Sequence, residues 1–498
     1  MITETYSPAE ERFNRHRQTF GLIAGPLAAM AILFMPTALP PPAQRVAAVL
    51  VLMIMLWMTE ALPLAVTALV GPTLCIILGV ATAQVAFAPF ADPVIFLFIG
   101  SFILAEGMVV HRLDRRMAFT ALASTWVGSS GLRLVVAYAG VTCVLSMWMS
   151  NTATTAMMFP LGLAVLTELG RERKGDRDFQ HYAMALMLVT SFAATIGGMG
   201  TPVGTPPNLI GVGLLRTTAD INVSFTGWMI VGVPVMAATM LSLVLWFLVP
   251  RARNIQLGAE AVRTVAEELR KLGTMSRGER NVVIAFAVTI ALWVVPGVFS
   301  LTFGETHAVT RRFATLVPES VAAIVGAILL LVIPVSWQER RFTLSWEEAS
   351  RIDWGIVLLF GGGLAMGRLS ESTGLSEALG HGIAAQFPGA SVTALTMVFT
   401  AIAVIMSETA SNTAAANIIV PTAIAVSRAA GVSPLEPALG ATLGASLGFM
   451  MPISTPPNAI VYSSGHIPLG AMVRNGFILD VVGYFIVVAG VLLLGKFV

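Results

Sequence analysis

Two short motifs, each present twice and in the same order, decide the fold of this chain. The first reads MWMSNTATTAMMFP at 147–160 and recurs in SETASNTAAANIIVP at 407–421, so Ser-Asn-Thr-Ala and the following proline repeat at a constant offset of 261 residues. The second, Thr-Pro-Pro-Asn, stands at 205–208 and again at 455–458, at an offset of 250 residues. Paired interruptions at matching positions predict that the two halves of the chain are structural repeats.

The composition around these motifs is that of a membrane protein. Of the 498 residues, 56% are hydrophobic and only 11% are charged, whereas soluble domains carry about 25% charged residues. One membrane span needs about 20 apolar residues. We therefore predict an all-α polytopic membrane protein with about eleven transmembrane helices. The net charge of +2 without a dense basic patch argues against nucleic-acid binding, and Cys75 and Cys143 lie in apolar runs as expected of core residues.

The interruptions divide the chain into two halves around a polar linker. Short apolar runs joined at Ser-Asn-Thr predict re-entrant hairpins, and runs interrupted at Thr-Pro-Pro-Asn predict helices broken at mid-depth, where irregular backbone is tolerated if it lines a cavity. The predicted segments are an N-terminal cytoplasmic segment 1–18, a first half 19–250 with hairpin 134–167 and broken helix 183–215, an amphipathic cytoplasmic linker 251–280, and a second half 281–498 with hairpin 391–427 and broken helix 435–465.

The basic residues predict the orientation. Most of the 29 Lys and Arg residues fall on one side if the first hairpin opens toward the cytoplasm, and both flanks of that hairpin are Arg-rich. The second hairpin has few charges nearby, as expected on the opposite face. The halves are therefore predicted to be inverted in a multi-pass protein of the cell's inner membrane, with a cytoplasmic N-terminus and an extracytoplasmic C-terminus.

A Ser-Asn-Thr tip between two half-helices can hold ions of both signs. The preceding half-helix ends in unpaired carbonyls, which suit a hard cation such as sodium, and the following one begins with unpaired amides, which suit an anion. Neither motif contains Lys or Arg. An anion bound between the halves would therefore be neutralised by helix ends and bound cations, which predicts obligatory coupling of the two.

Two other features leave alternatives open. Glu408, three residues before the second Ser-Asn-Thr, either binds a proton or a cation or structures the tip through backbone amides. Gly128-Ser129-Ser130-Gly131 matches a pattern of intramembrane serine proteases, but the six histidines lie in polar or terminal stretches and no His-Glu-x-x-His occurs. We therefore predict that the protein is not an enzyme, with a membrane enzyme or channel as a remote alternative.

The motifs resemble those of the divalent anion/sodium symporter family, which comprises sodium-coupled dicarboxylate, citrate and sulfate transporters. The resemblance rests on the two Ser-Asn-Thr signatures, on ASLGFMMPISTPPNAIV at 445–461, on MTEALPLAVTAL at 58–69 and on DWGIVLLFGGGLAMG at 353–367. It implies symport of a di- or tricarboxylate such as succinate or malate with two or more sodium ions. It also implies a homodimer in which a transport domain moves like an elevator against a scaffold. Exchange of dicarboxylates or sodium:sulfate symport in the same fold remains the alternative.

The resemblance also assigns residues to sites. It implies a first sodium site at Ser146, Ser150, Asn151 and Gly204, and a second at Ser407, Ala410, Asn412 and Ser454. The substrate-binding residues that it implies are Asn151, Thr152, Thr205, Ser411, Asn412, Thr413, Thr455 and Pro456. No residue is assigned a catalytic role.

Overall fold

A computed structural model describes residues 8–170, 176–304, 307–386 and 388–498. The first seven residues of the predicted N-terminal segment and residues 171–175, four of which are charged, lie outside this description. Within it the protein is nearly all helical. The helices of the first half are α1 Pro8–Phe34, α2 Pro41–Thr59, α3 Leu64–Ile77, α4 Ala83–Phe87, α5 Pro93–Val110, α6 Leu113–Leu122, α7 Gly131–Ser146, α8 Asn151–Gly170, α9 Arg177–Gly198, α10 Pro206–Ala219, α11 Phe225–Ser242 and α12 Val249–Ala252.

The linker and the second half follow the same pattern of long and short helices. They comprise α13 Ala259–Lys271, α14 Arg277–Phe303, α15 Ala308–Leu316, α16 Glu319–Val332, α17 Trp346–Ala349, α18 Trp354–Ser372, α19 Leu375–Ala384, α20 Val392–Thr409, α21 Asn412–Ala429, α22 Leu435–Gly444, α23 Pro456–Tyr462 and α24 Leu469–Leu494. A two-stranded antiparallel ribbon of β1 Pro334–Ser336 and β2 Arg341–Phe342 joins α16 to α17.

Polar caps fix where the hairpin helices begin. Ser130 accepts a hydrogen bond from the Arg133 amide at the start of α7, at 3.3 Å, and Ser391 accepts one from the Ala394 amide at the start of α20, at 3.2 Å. Such caps satisfy amides that have no partner within the helix. Ser130, the serine of the protease-like pattern, therefore has a structural role at a helix end.

Nine helices among the described residues are long and apolar enough to cross a membrane, or ten if the bent pair α15 and α16 counts as one span. This number is lower than the eleven spans that we predicted. The number is lower because the helices on either side of a break are too short to be counted as spans. For example, α22 and α23 contain only 10 and 7 residues. The nine also include α8 and α20, each of which is one arm of a hairpin.

The two halves interlock rather than lie side by side. Helix α5 of the first half packs on α16 of the second, and α18 of the second half packs on α3 of the first. Both contacts are close because glycines lie at the crossings: a Cβ at Gly100 would meet the Ala323 backbone, and a Cβ at Gly362 would meet the backbone carbonyl of Ala68. Because helices of each half pack against helices of the other, the two halves share one interior.

Candidate functional site

The two hairpin tips, residues 146–152 and 407–413, have the same internal hydrogen bonds. In the first tip, Ser146 Oγ donates to Asn151 Oδ1 at 2.8 Å. In the second, Ser407 Oγ donates to Asn412 Oδ1 at 2.7 Å. The central serine of each tip, Ser150 or Ser411, caps the following helix at 3.2 Å. Each tip is therefore a rigid turn that presents the amide end of α8 or α21.

The two breaks, residues 199–205 between α9 and α10 and residues 445–455 between α22 and α23, are held by one asparagine each. The side-chain amide of Asn208 donates to the Gly198 and Thr201 carbonyls, both at 2.8 Å. Asn458 donates in the same way to the Gly448 and Met451 carbonyls, both at 3.0 Å. These two asparagines, which are fully buried, fix the shape of the unwound backbone.

Each tip lies directly against the break of its own half. A Cβ at Gly198 would collide with Asn151 Oδ1, and a Cβ at Gly448 would lie 3.1 Å from Ser407 Oγ and 3.2 Å from Asn412 Oδ1. Both breaks therefore carry a glycine where the tip asparagine approaches. The asparagine oxygen and the backbone carbonyl oxygens of the break are the type of donor that hard cations prefer.

A further pair of contacts joins tip and break in both halves. Thr201 Oγ1 donates to the Met147 carbonyl at 2.5 Å, and Ser454 Oγ donates to the Glu408 carbonyl at 3.3 Å. Met147 and Glu408 are matched positions at the offset of 261 residues. The tip of each half is therefore tied to its break through a backbone carbonyl and a hydroxyl.

The broken helix of each half packs on the hairpin of the other half. Helix α10 contacts α21 and α22, and helix α23 contacts α8 and α9. The Ser191 hydroxyl of α9 donates to Asn458 Oδ1, so a residue of the first half holds the asparagine that shapes the second break. This crossed packing brings the two tip–break units together in one core.

The structure places the implied sodium ligands deeper than the implied substrate ligands. Among the sodium ligands, Ser146, Gly204, Ser407, Ala410 and Ser454 are buried and Ser150, Asn151 and Asn412 are partly buried. Among the substrate ligands, Ser411 and Thr413 are also partly buried, and Thr152 and Pro456 are exposed. Thr205 and Thr455 are buried.

The first set of implied sodium ligands comes together around Gly198. Asn151 contacts Gly198 and is bonded to Ser146, and a Cβ at Gly204 would meet the Gly198 carbonyl oxygen. In the second set, Ser407 is bonded to Asn412. Ser454 instead donates to the Glu408 carboxylate at 2.7 Å, so its hydroxyl is directed to that side chain.

The threonine of each Thr-Pro-Pro-Asn is predicted to cap the helix that follows it, and this prediction is wrong for Thr205. Thr455 accepts a hydrogen bond from the Asn458 amide at 3.4 Å, but the Thr205 side chain makes no capping hydrogen bond. The Asn208 amide is bonded to the Thr205 backbone carbonyl instead, at 3.2 Å.

Sequence reasoning missed four residues that shape the site: the asparagines Asn208 and Asn458 and the glycines Gly198 and Gly448. The signal for the asparagines was present, because each is the last residue of a repeated Thr-Pro-Pro-Asn. The glycines carried no such signal, since their role depends on the approach of a side chain from another helix.

Glu408 structures the second break. One carboxylate oxygen accepts from the Met450 amide at 2.8 Å, and the other accepts from the Ser454 hydroxyl. This geometry agrees with a role through a backbone amide, and it also leaves a carboxylate beside an implied sodium ligand.

Comparisons with known proteins agree with this architecture. Residues 16–498 match the profile of the family described as the sodium:sulfate symporter transmembrane region. The sodium-dependent dicarboxylate transporter SdcS of Staphylococcus saprophyticus is 32% identical over 483 residues, which cover 95% of this chain and 90% of that protein. An uncharacterized transporter of Haemophilus influenzae is 32% identical over 444 residues, which cover 89% of this chain and 90% of that protein. The chain therefore belongs to the sodium:sulfate symporter family, and it is a multi-pass membrane protein.

A solved structure supports the fold alone. The Alcanivorax borkumensis YdaH transporter, described as having an unusual topology, superposes with a TM-score of 0.55 at 15% identity, over 96% of this chain and 97% of that one. All three of these proteins are named as transporters, and the name of the Staphylococcus relative states that it depends on sodium.

Proposed function

We propose that the protein is a secondary active transporter that couples the entry of a dicarboxylate to sodium. The observation that carries this proposal is the pair of tip–break units, in which two halves of the chain offer matching carbonyl, hydroxyl and amide groups at one interlocked core. The sequence of both tips lacks Lys and Arg, so a bound dianion would depend on sodium for charge compensation. The name of the Staphylococcus relative supports the same substrate class.

The proposed first sodium site comprises Ser146, Ser150, Asn151 and Gly204, and the proposed second site comprises Ser407, Ala410, Asn412 and Ser454. Their donors are hydroxyl, amide and backbone carbonyl oxygens, which hard cations prefer. The substrate carboxylates would then meet the less buried residues of the tips, Thr152 and Thr413 among them, at the amide ends of α8 and α21. Two sodium ions entering at about 100 mV supply roughly 4–5 kcal/mol, less the work of moving the anion's own charge.

We further propose an elevator mechanism in a homodimer, with the cytoplasmic N-terminus and extracytoplasmic C-terminus predicted above. The elements of the two tip–break units would move as one body. Two ion-pair clusters would then lie between this body and the scaffold: Arg216 of α10 pairs with Asp92, which caps α5 and also contacts Arg368, and Arg428 of α21 pairs with Glu371 of α18 at 2.6 Å. An open pocket of about 500 Å³ is lined by Asp92, Arg216, Arg368 and Glu371.

The test is the uptake of labelled succinate into proteoliposomes with and without an inward sodium gradient, competed by malate, citrate, 2-oxoglutarate and sulfate. We expect sodium-driven uptake that dicarboxylates compete. Asn151→Asp and Thr413→Ala should abolish it while dimer assembly continues. Asn222→Asp, at an exposed loop asparagine, is the matched control. Sodium-driven uptake at wild-type rates in both site variants would contradict the assignment.

Sulfate is the second candidate substrate, because the matching family profile is described as a sodium:sulfate symporter. Competition by sulfate and not by dicarboxylates would favour it. Exchange is distinguished from symport by counterflow: an exchanger needs substrate on the opposite side and no sodium gradient.

A further inference from the structure

One buried carboxyl group in the transmembrane core has no role in the proposed sites. Asp480 of α24 is 4% exposed, and neither of its carboxylate oxygens accepts a well-formed hydrogen bond within the described part of the chain. An ionised carboxylate without partners is very costly to bury. Such a group inside a membrane segment is a functional candidate.

Helix α24 brings this carboxyl group to the second break. One turn before Asp480, a Cβ at Gly476 would meet the backbone of Phe449 and Met450, and nearly one turn after it Gly483 faces Leu447. The polar neighbours of the Asp480 carboxyl are the Phe449 backbone amide and the carboxyl group of Glu408. The two acids therefore lie close to each other beside the second break.

The Glu408–Asp480 pair has no basic partner: among the described residues neither acid forms an ion pair. The closest basic residues along the packed helices are engaged or distant. Arg251 bonds to the Phe247 carbonyl and to Asn475, and Arg474 lies near the start of α24, more than one turn before Asp480. Two ionised carboxylates at this depth need a cation that compensates their charge, and without one the pair has to hold a proton.

The pair is absent from the first half. The position that matches Glu408 at the offset of 261 residues is Met147, and α11, the first half's helix after its break, contains no acidic residue. The fold of a tip–break unit therefore does not need these acids. Their presence in the second half alone points to a ligand that only this half binds.

We propose that Glu408 and Asp480 form a third sodium site, adjacent to the second one and sharing Ser454 with it. The unpartnered oxygens of Asp480 and the remaining lone pairs of the Glu408 carboxylate supply hard, negatively charged donors. The ion neutralises one of the two charges and holds α24 against the second break. This proposal rests on the proposed sodium-coupled transport, and it adds one ion to its stoichiometry.

The test measures the number of sodium ions moved per succinate, from the membrane voltage at which net flux reverses, in proteoliposomes with fixed gradients. We expect three for the wild type and two for Asp480→Asn, whose amide can bond to Glu408 without an ion. Glu408→Gln, which keeps an acceptor for the Met450 amide, should give the same loss if Asp480→Asn does not fold. Asp480→Glu should retain three, and Asp114→Asn, a buried acid on α6, is the control.

Three outcomes would overturn the proposal: two sodium ions per succinate in the wild type, an unchanged ratio in both acid variants, or proton entry that the variants abolish while the sodium ratio stays constant. An internal pH dye detects the last of these. A wild-type protein without any sodium-driven uptake would instead refute the proposed function. The two failures are therefore distinguishable.

Discussion

Replacing Asn208 should weaken sodium binding at the first site while the fold persists. Its side-chain amide makes two hydrogen bonds that hold the Gly198 and Thr201 carbonyls, each at 2.8 Å. A buried hydrogen bond contributes a net 0.5–1.5 kcal/mol, so losing both costs about 1–3 kcal/mol. The break can relax when sodium is absent but has to be held when the ion is bound. The cost therefore falls on binding, and at 1.4 kcal/mol per tenfold it corresponds to an affinity roughly 5- to 150-fold weaker.

The assay is the sodium dependence of succinate uptake, read as the half-saturating sodium concentration. Asn208→Ala removes both donors, and Asn208→Asp removes them with almost no change of volume, because an ionised carboxylate only accepts. Asn222→Ala is the matched control at an exposed position. Half-saturation at the wild-type sodium concentration in both Asn208 variants would refute the reasoning, since the break would then hold its shape without the asparagine.

The other predictions concern a contact, a charge and an ion pair. Gly198→Ala forces a Cβ against Asn151 Oδ1; overpacking costs about 1–3 kcal/mol, so sodium binding should weaken up to about a hundredfold in the same uptake assay. Burial raises the pKa of Asp114 to about 6 from 3.8, so the folded state binds this proton more tightly and stability falls as pH rises between these values. Asp114→Asn should remove this loss of unfolding free energy, which amounts to at most about 3 kcal/mol. The measurement is the melting temperature as a function of pH. Glu371→Gln frees Arg428 from a largely exposed pair worth at most about 1 kcal/mol, so initial uptake should change no more than about fivefold.

Features set by local sequence could be predicted, and these include both tips and both breaks. Ser-Asn-Thr marks a helix start because its side chains cap amides, and Pro-Pro marks one because proline tolerates the first helical positions. The structure places α8 and α21 at Asn151 and Asn412, and α10 and α23 at Pro206 and Pro456. Their repetition in one order predicts two equivalent units.

Features that depend on contact between distant helices could not be predicted. The crossing of α5 with α16 relies on Gly100 facing Ala323, and a single glycine in an apolar run gives no sign of its partner. The bond from Ser191 to Asn458 joins residues 267 apart. The number of helices that are long enough to span is lower than the predicted number of spans for a related reason, because a length criterion does not count the short helices on either side of a break.

Comparing the halves separates what the fold needs from what transport needs. Both halves build the Ser–Asn bond across the tip, the asparagine that holds the break and the glycine beneath the tip, so these features serve the common architecture. Glu408 and its counterpart Met147 each offer a backbone carbonyl that accepts a hydroxyl from its break. Glu408 adds a charged side chain, which also accepts hydrogen bonds from the Met450 amide and the Ser454 hydroxyl. The first half builds its tip and break without a charged side chain at this position, and a carboxylate near a second acid, Asp480, is costly to retain in a membrane. Binding an additional cation offsets that cost, and it ties the second half specifically to the coupling ion.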